Sequence, residues 1–234
     1  MPKRRFLILM VIVAACTALA YLYLTYGRNN RRAAQVFAWM RDPTSHPELV
    51  MRAGARCGEA PFIFPTDGLV GFLWDDSFRL GHSHQGLDIF SGTQAGVTPV
   101  IAAYPGYLSR LPDWKSSLIV RVPDDPLQPG RQIWLYYTHM ADTDGKSYIS
   151  AEFPPGTSEA PIAAGAFLGY QGNFSGDPYN PVWVHLHFSI VKSDFSGDFK
   201  NELEIENTYD PSPYLGLPLN AKENPADIPS CQGF

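Results

Sequence analysis

The chain is 234 residues long, 45% hydrophobic and 13% aromatic, which is enough apolar material for one core of ordinary size and too little length for two. Its first 32 residues hold six of the 18 Lys+Arg and none of the 23 Asp+Glu, so residues 33–234 carry 12 − 23 = −11. A body that acidic lacks the basic footprint that phosphate backbones require, which argues against nucleic acid as a partner.

Lys3, Arg4 and Arg5 precede a run over 6–26 with neither charge nor proline, 21 residues by count and long enough for a helix that spans a bilayer. We expect residues 1–5 in the cytoplasm and a transmembrane anchor over 6–26. Two cleaved alternatives exist. Ala18-Leu19-Ala20 resembles a signal-peptidase site and Val13-Ala14-Ala15-Cys16 a lipoprotein box, and either would leave the apolar Tyr21-Leu22-Tyr23-Leu24 at the new N-terminus. Beyond the anchor, Ala33, Ala34, Phe37 and Met40 recur at helical spacing, predicting a short juxtamembrane helix stopped by Pro43. The remainder of 27–56 reads as a spacer.

From Cys57 the texture changes to short β-rich runs between Pro, Gly and Asp clusters, which favours many short strands over helices. Strands are expected over 86–90, 97–103, 106–111, 118–122, 132–139, 166–170 and 183–191, mostly antiparallel because the connections are too short for crossover helices. The stretch 123–130, Pro-Asp-Asp-Pro-Leu-Gln-Pro-Gly, reads as a solvated hairpin loop, and the proline-rich tail as a segment lying across the body. One domain over 57–234 is expected. Apart from Cys16 in the apolar run, Cys57 and Cys231 form an even pair near its two ends, as expected of a disulfide made in an oxidising compartment.

Six histidines are present. His185 and His187 sit in Val-Trp-Val-His-Leu-His-Phe-Ser-Ile-Val, whose alternation puts both imidazoles on one face of a strand and Leu186 and Phe188 on the other. In Gly-His-Ser-His-Gln-Gly-Leu-Asp, residues 81–88, His84 and Asp88 can converge about Gly86, and two imidazoles with one carboxylate are a recognised zinc ligand set. Three protein ligands leave a fourth position open, the mark of a catalytic rather than a structural site. His139 ends a strand-like run, Ile-Trp-Leu-Tyr-Tyr-Thr-His. Neither cysteine stands in a zinc-finger spacing or a nucleophile motif.

Taken in order, His84-x-Gly86-x-Asp88, Tyr137-Thr138-His139-Met140 and His185-x-His187 resemble the lysostaphin/LytM-type zinc metallopeptidases that cut peptidoglycan peptides. Residues 86–108, 161–173 and 209–215 resemble further segments of that family, so the likeness spans roughly 61–215. Two departures are the long insert before His185, over 172–183, and the loop over 113–117. The resemblance implies a mainly β fold, an antiparallel sheet curled into a groove (the duplicated hybrid motif of that family), joined here to the N-terminal transmembrane helix. It also implies one zinc ion per chain on His84, Asp88 and His187, with His82 an extra on the rim. His139 and His185 would be the catalytic pair. Phe174, Tyr179 and Trp183 are candidates to line the groove.

The expected activity is therefore that of a zinc metalloendopeptidase acting on peptidoglycan peptides, single-pass in the bacterial cell membrane with its catalytic domain outside. Two readings compete: a non-catalytic module of the same fold that activates another wall hydrolase, and a tethered structural protein braced by zinc.

Overall fold

The computed structural model describes residues 2–22, 28–77 and 81–231. Two helices open the chain, α1 over Pro2–Leu22 and α2 over Arg28–Arg41. Among the described residues no helix is long and apolar enough to cross a membrane. Residues 23–26 of the expected span lie outside them, as do 232–234 at the end of the tail.

Among the described residues the rest is built on ten antiparallel strands: β1 Leu69–Phe72, β2 Leu87–Phe90, β3 Pro99–Ile101, β4 Gly106–Ser109, β5 Leu118–Val122, β6 Ile133–Thr138, β7 Ala160–Ile162, β8 Phe167–Tyr170, β9 His185–Lys192 and β10 Thr208–Tyr209. A short helix, α3, covers Ser212–Leu215. All seven expected strands are present, most of them trimmed at an end, and β1, β7 and β10 are additions. The main sheet runs β1-β2-β9-β6-β5-β4-β7, with β10 also paired to β9, while β3 and β8 form a separate ribbon. β9 is thus central, flanked by β2 and β6.

Alternation divides the sheet into two chemistries. Leu186, Phe188 and Ile190 of β9, with Leu135 and Tyr137 of β6 and Leu87 and Ile89 of β2, enter the main core. The period of two then commits His185, His187 and Ser189, and Tyr136 and Thr138, to the opposite face. A smaller cluster of Ile119, Trp134, Tyr136 and Val191 covers part of that face, with Trp114 and Phe199 against it.

Residues read as a juxtamembrane helix and spacer pack into the body. Val36 and Trp39 of α2 join Leu69, Phe90 and Ile228 in a cluster of their own. Met51 exchanges backbone hydrogen bonds with Gly68, the Met51 N–H donating at 2.8 Å and the Gly68 N–H at 3.0 Å. Arg32, 1% exposed, pairs with the carboxylate of Asp76, 3% exposed, and donates from Nη1 to the Asn224 carbonyl at 2.6 Å.

The tail lies across the body as expected, burying Tyr214, Leu215, Leu217 and Leu219 in the main core. Cys57 and Cys231 are joined by a disulfide with 5.6 Å between Cα atoms, inside the range such bridges require. One expectation needs correction. The loop over 123–130 does connect β5 to β6, but it is not simply solvated: Asp125 is fully buried and accepts hydrogen bonds from Arg131 Nε at 2.7 Å and from the Tyr214 hydroxyl at 2.8 Å. A buried carboxylate needs such partners, and here they come from beyond the loop and from the tail.

Candidate metal centre

The strand register assembles the centre. Pairing of β2 with β9 sets Asp88 opposite His187, and pairing of β6 with β9 sets Thr138 opposite His187 on the other side. His84 arrives from the turn before β2. Its backbone is gripped by the segment 73–76: the His84 N–H donates to Asp76 O at 2.8 Å and the Asp75 N–H donates to His84 O at 2.8 Å. Gly86 lets the chain pass over β9, since a Cβ there would lie 2.4 Å from the Phe188 carbonyl oxygen and 2.9 Å from His187 Nε2. Close approach, not an unusual backbone angle, is the reason for this glycine.

Three donor atoms converge. His84 Nε2 lies 3.1 Å from Asp88 Oδ1 and 3.1 Å from His187 Nδ1, and His187 Nδ1 lies 2.9 Å from Asp88 Oδ1. The outer nitrogens are engaged elsewhere: His84 Nδ1 donates to the Leu73 carbonyl at 2.9 Å, and His187 Nε2 lies 2.9 Å from Ser189 Oγ, which can accept its proton. Those bonds turn a lone pair of each ring inward, the second-shell arrangement that fixes metal-binding tautomers. Lone pairs of two imidazoles and a carboxylate at such separations repel unless a cation or proton lies among them. Bonds of about 2.0–2.2 Å put the corners of a zinc tetrahedron roughly 3.3 Å apart, so the observed triangle fits zinc after a slight expansion.

The electrostatics agree. Burial opposes the charged form of Asp88, but His84 and His185 outweigh it and hold the carboxyl well below its usual range. Burial lowers the basicity of His187, keeping it available as a neutral ligand. For His84 burial acts in the same direction, but Asp88 overrides it and the net direction is upward.

A second pair of imidazoles stands beside the triangle. The rings of His139 and His185 are 4.5 Å apart between centroids, and His185 Nε2 lies 3.5 Å from Asp88 Oδ1. Each donates from Nδ1 to a backbone carbonyl, His139 to Phe174 O at 2.7 Å and His185 to Trp183 O at 2.6 Å. Both carbonyls belong to the insert over 172–183, so that insert fixes the tautomers that leave both Nε2 atoms as acceptors. His139 follows the last residue of β6 in a left-handed conformation, φ 68°, uncommon for a residue with a side chain and frequent at functional sites. Burial, then the neighbouring His185 and His187, drive its pKa down to about 3.

These groups line one groove of about 500 Å³ that also takes in His82, Ser117, Tyr136, Phe174 and Glu202. His82 is thus in the wall and outside the triangle. Of the aromatic candidates only Phe174 lines the groove; Tyr179 is 95% exposed and Trp183 52%, the latter edge-on to Phe37 of α2 at 5.7 Å. Sequence reading missed Tyr136 and Glu202. Tyr136 had a signal in the alternation of β6, two residues before Thr138, whereas Glu202 had none, because its segment folds back after β9.

No family model matches the chain, and no curated protein matches it. Among solved structures it is similar to the catalytic domain of the antimicrobial peptidase lysostaphin from Staphylococcus simulans, at 18% identity over 64% of this chain and 89% of that one, TM-score 0.39. It is also similar to a mutant catalytic domain of the prophage-encoded M23 protein EnpA from Enterococcus faecalis, at 20% identity over 64% of this chain and 95% of that one, TM-score 0.36. A chain of the SpoIIIAH and SpoIIQ complex is a third, at 15% identity over 61% of this chain and 97% of that one, TM-score 0.39.

Proposed function

We propose that this chain is a zinc metallopeptidase of the lysostaphin/LytM type, anchored in a bacterial membrane by residues 6–26, that hydrolyses peptide bonds of peptidoglycan stems or cross-links outside the cell. The observation that carries the reading is the triangle of His84 Nε2, Asp88 Oδ1 and His187 Nδ1, 2.9–3.1 Å on each side, on the floor of an open groove beside two further imidazoles. His84, Asp88 and His187 would hold the ion. Zinc on three protein ligands lowers the pKa of its water to about 7 and polarises a peptide carbonyl.

The remaining work falls to the chain. His139 and His185, with Nδ1 committed to carbonyls, present Nε2 as a proton acceptor, and either can then return the proton to the leaving amine. Once protonated, the same atoms can donate a hydrogen bond to an oxyanion in the groove. The full complement of five residues supports an enzyme over a regulatory module of the same fold. The disulfide and the apolar N-terminal run support an extracytoplasmic site of action.

Purified protein carrying one zinc should release peptides from purified wall, read by mass spectrometry of defined muropeptides. His187→Ala should lose both metal and activity; His139→Ala and His185→Ala should keep the metal and lose about 10² or more in turnover; His82→Ala should keep its metal. A zinc-loaded protein that binds wall and releases nothing would replace this reading with the regulatory one.

A further inference from the structure

The segment after β9 also lines the groove, through Glu202 and Leu203. The side chain of Gln85, next to the metal ligand His84, donates to the Leu203 carbonyl at 2.8 Å and ties that segment to the floor. Glu202 is half-buried and faces the Tyr136 hydroxyl, which in turn lies 3.2 Å from Ser117 Oγ. Among the described residues no lysine or arginine lines the groove and none pairs with Glu202.

Buried acids elsewhere in the protein are matched: Asp76 by Arg32, Asp125 by Arg131 and Asp75 by Lys222. Glu202, only half-buried, has no such cation beside it among the described residues. Burial pushes its carboxyl above the ordinary range, against hydrogen bonds from its own backbone and from Tyr136. A carboxylate in that condition gains when a cation arrives, because the incoming charge supplies the compensation that solvent no longer does in full.

We propose that Glu202, with the Tyr136 hydroxyl beside it, is a subsite for a free amino group on the substrate, so that the groove selects peptides carrying an ammonium and disfavours those presenting a carboxylate at the same place. This rests on the peptidase reading of the groove and adds to it the charge of the substrate. Glu202 accepts hydrogen bonds from the ammonium, and Tyr136 holds the carboxylate in place. No proton transfer is assigned to either, so the effect belongs in recognition and not in the chemical step.

The test uses zinc-loaded full-length protein in detergent and two peptides, a wall-derived cross-linked peptide with its free side-chain amine and the same peptide N-acetylated. Two quantities are read: binding, by fluorescence anisotropy of labelled peptides, and kcat/KM by chromatography. We expect the amine form to bind about tenfold more tightly, the scale of a charge-assisted hydrogen bond. The preference should fall to about one in Glu202→Gln and invert toward the acetylated peptide in Glu202→Lys. The change should appear in KM more than in kcat. An unchanged preference in both variants, or no preference in the parent protein, overturns the subsite. Absence of hydrolysis with the binding preference intact would instead overturn the peptidase reading and leave the subsite standing, so the two failures are distinguishable.

Discussion

Replacing Arg32 by Met should loosen the candidate metal centre from a distance. The guanidinium is buried on α2 and neutralises Asp76, whose Oδ2 also accepts the Leu73 N–H at 3.2 Å. Asp76 and its neighbours are the residues that hold His84: Asp76 O takes the His84 N–H, the Asp75 N–H meets His84 O, and Leu73 O takes the Nδ1 proton that fixes the ligating tautomer. Methionine keeps most of the apolar volume and removes the charge, leaving Asp76 buried without a cationic partner among the described residues. Breaking a buried pair in this way costs about 3–5 kcal/mol, and disturbing the second shell of a ligand lowers metal affinity by roughly 10–100-fold. The assays are urea unfolding and zinc competition titration of a chain starting at residue 28. Asp76→Asn in the Arg32→Met background, which removes the orphaned charge, should recover much of the stability. Arg32→Met with a loss under about 1 kcal/mol and zinc affinity within a factor of two of the parent would refute the coupling.

Three other outcomes follow from the geometry. Gly86→Ala should weaken zinc binding by about 10–100-fold, because the new methyl meets the Phe188 carbonyl and the His187 ring; zinc affinity equal to the parent's in that variant would mean the strand crossing relaxes at no cost. In the metal-free protein His139, held down to about 3 by burial and then by its neighbouring imidazoles, stays neutral while the unfolded chain takes up a proton below about pH 6.5. The unfolded state then binds more protons, so His139 lowers stability progressively from about pH 6.5 down to about 3. Histidine NMR that showed its ring titrating near 6.5 would contradict this. Reduction of the Cys57–Cys231 bridge, with its sequence separation of 174, should lower stability by up to about 5 kcal/mol in the chain-entropy model; equal urea midpoints with and without reductant would show that the folded ends gain nothing from the link.

The convergence of His84, Asp88 and His187 was legible in part from short motifs, because alternation fixes the face of His185 and His187 and the spacing about Gly86 lets His84 meet Asp88; the choice of these three as a ligand set came from the resemblance. Strands such as β5 were legible from local pattern. β1 was missed because Gly71 interrupts its apolar run, and β7 and β10, three and two residues long, exist through their partners more than through any pattern of their own. Nothing in the residues around Arg32 marks it as buried, because its partners, Asp76 and the Asn224 carbonyl, lie 44 and 192 positions away. The carbonyls of Phe174 and Trp183 that orient the second imidazole pair are backbone groups, and a backbone acceptor leaves no trace in residue type.

The disulfide has a topological consequence. It turns residues 57–231 into a covalent ring that contains all ten strands, with α2 outside on the entering arm. The two most exposed large hydrophobic side chains among the described residues, Tyr179 and Phe195, are both inside that ring. A protease that cuts at either place converts a ring to a line and releases nothing, so a singly nicked molecule keeps its full mass until the bridge is reduced and only then parts into two. Within the ring, loss of a piece takes a second cut.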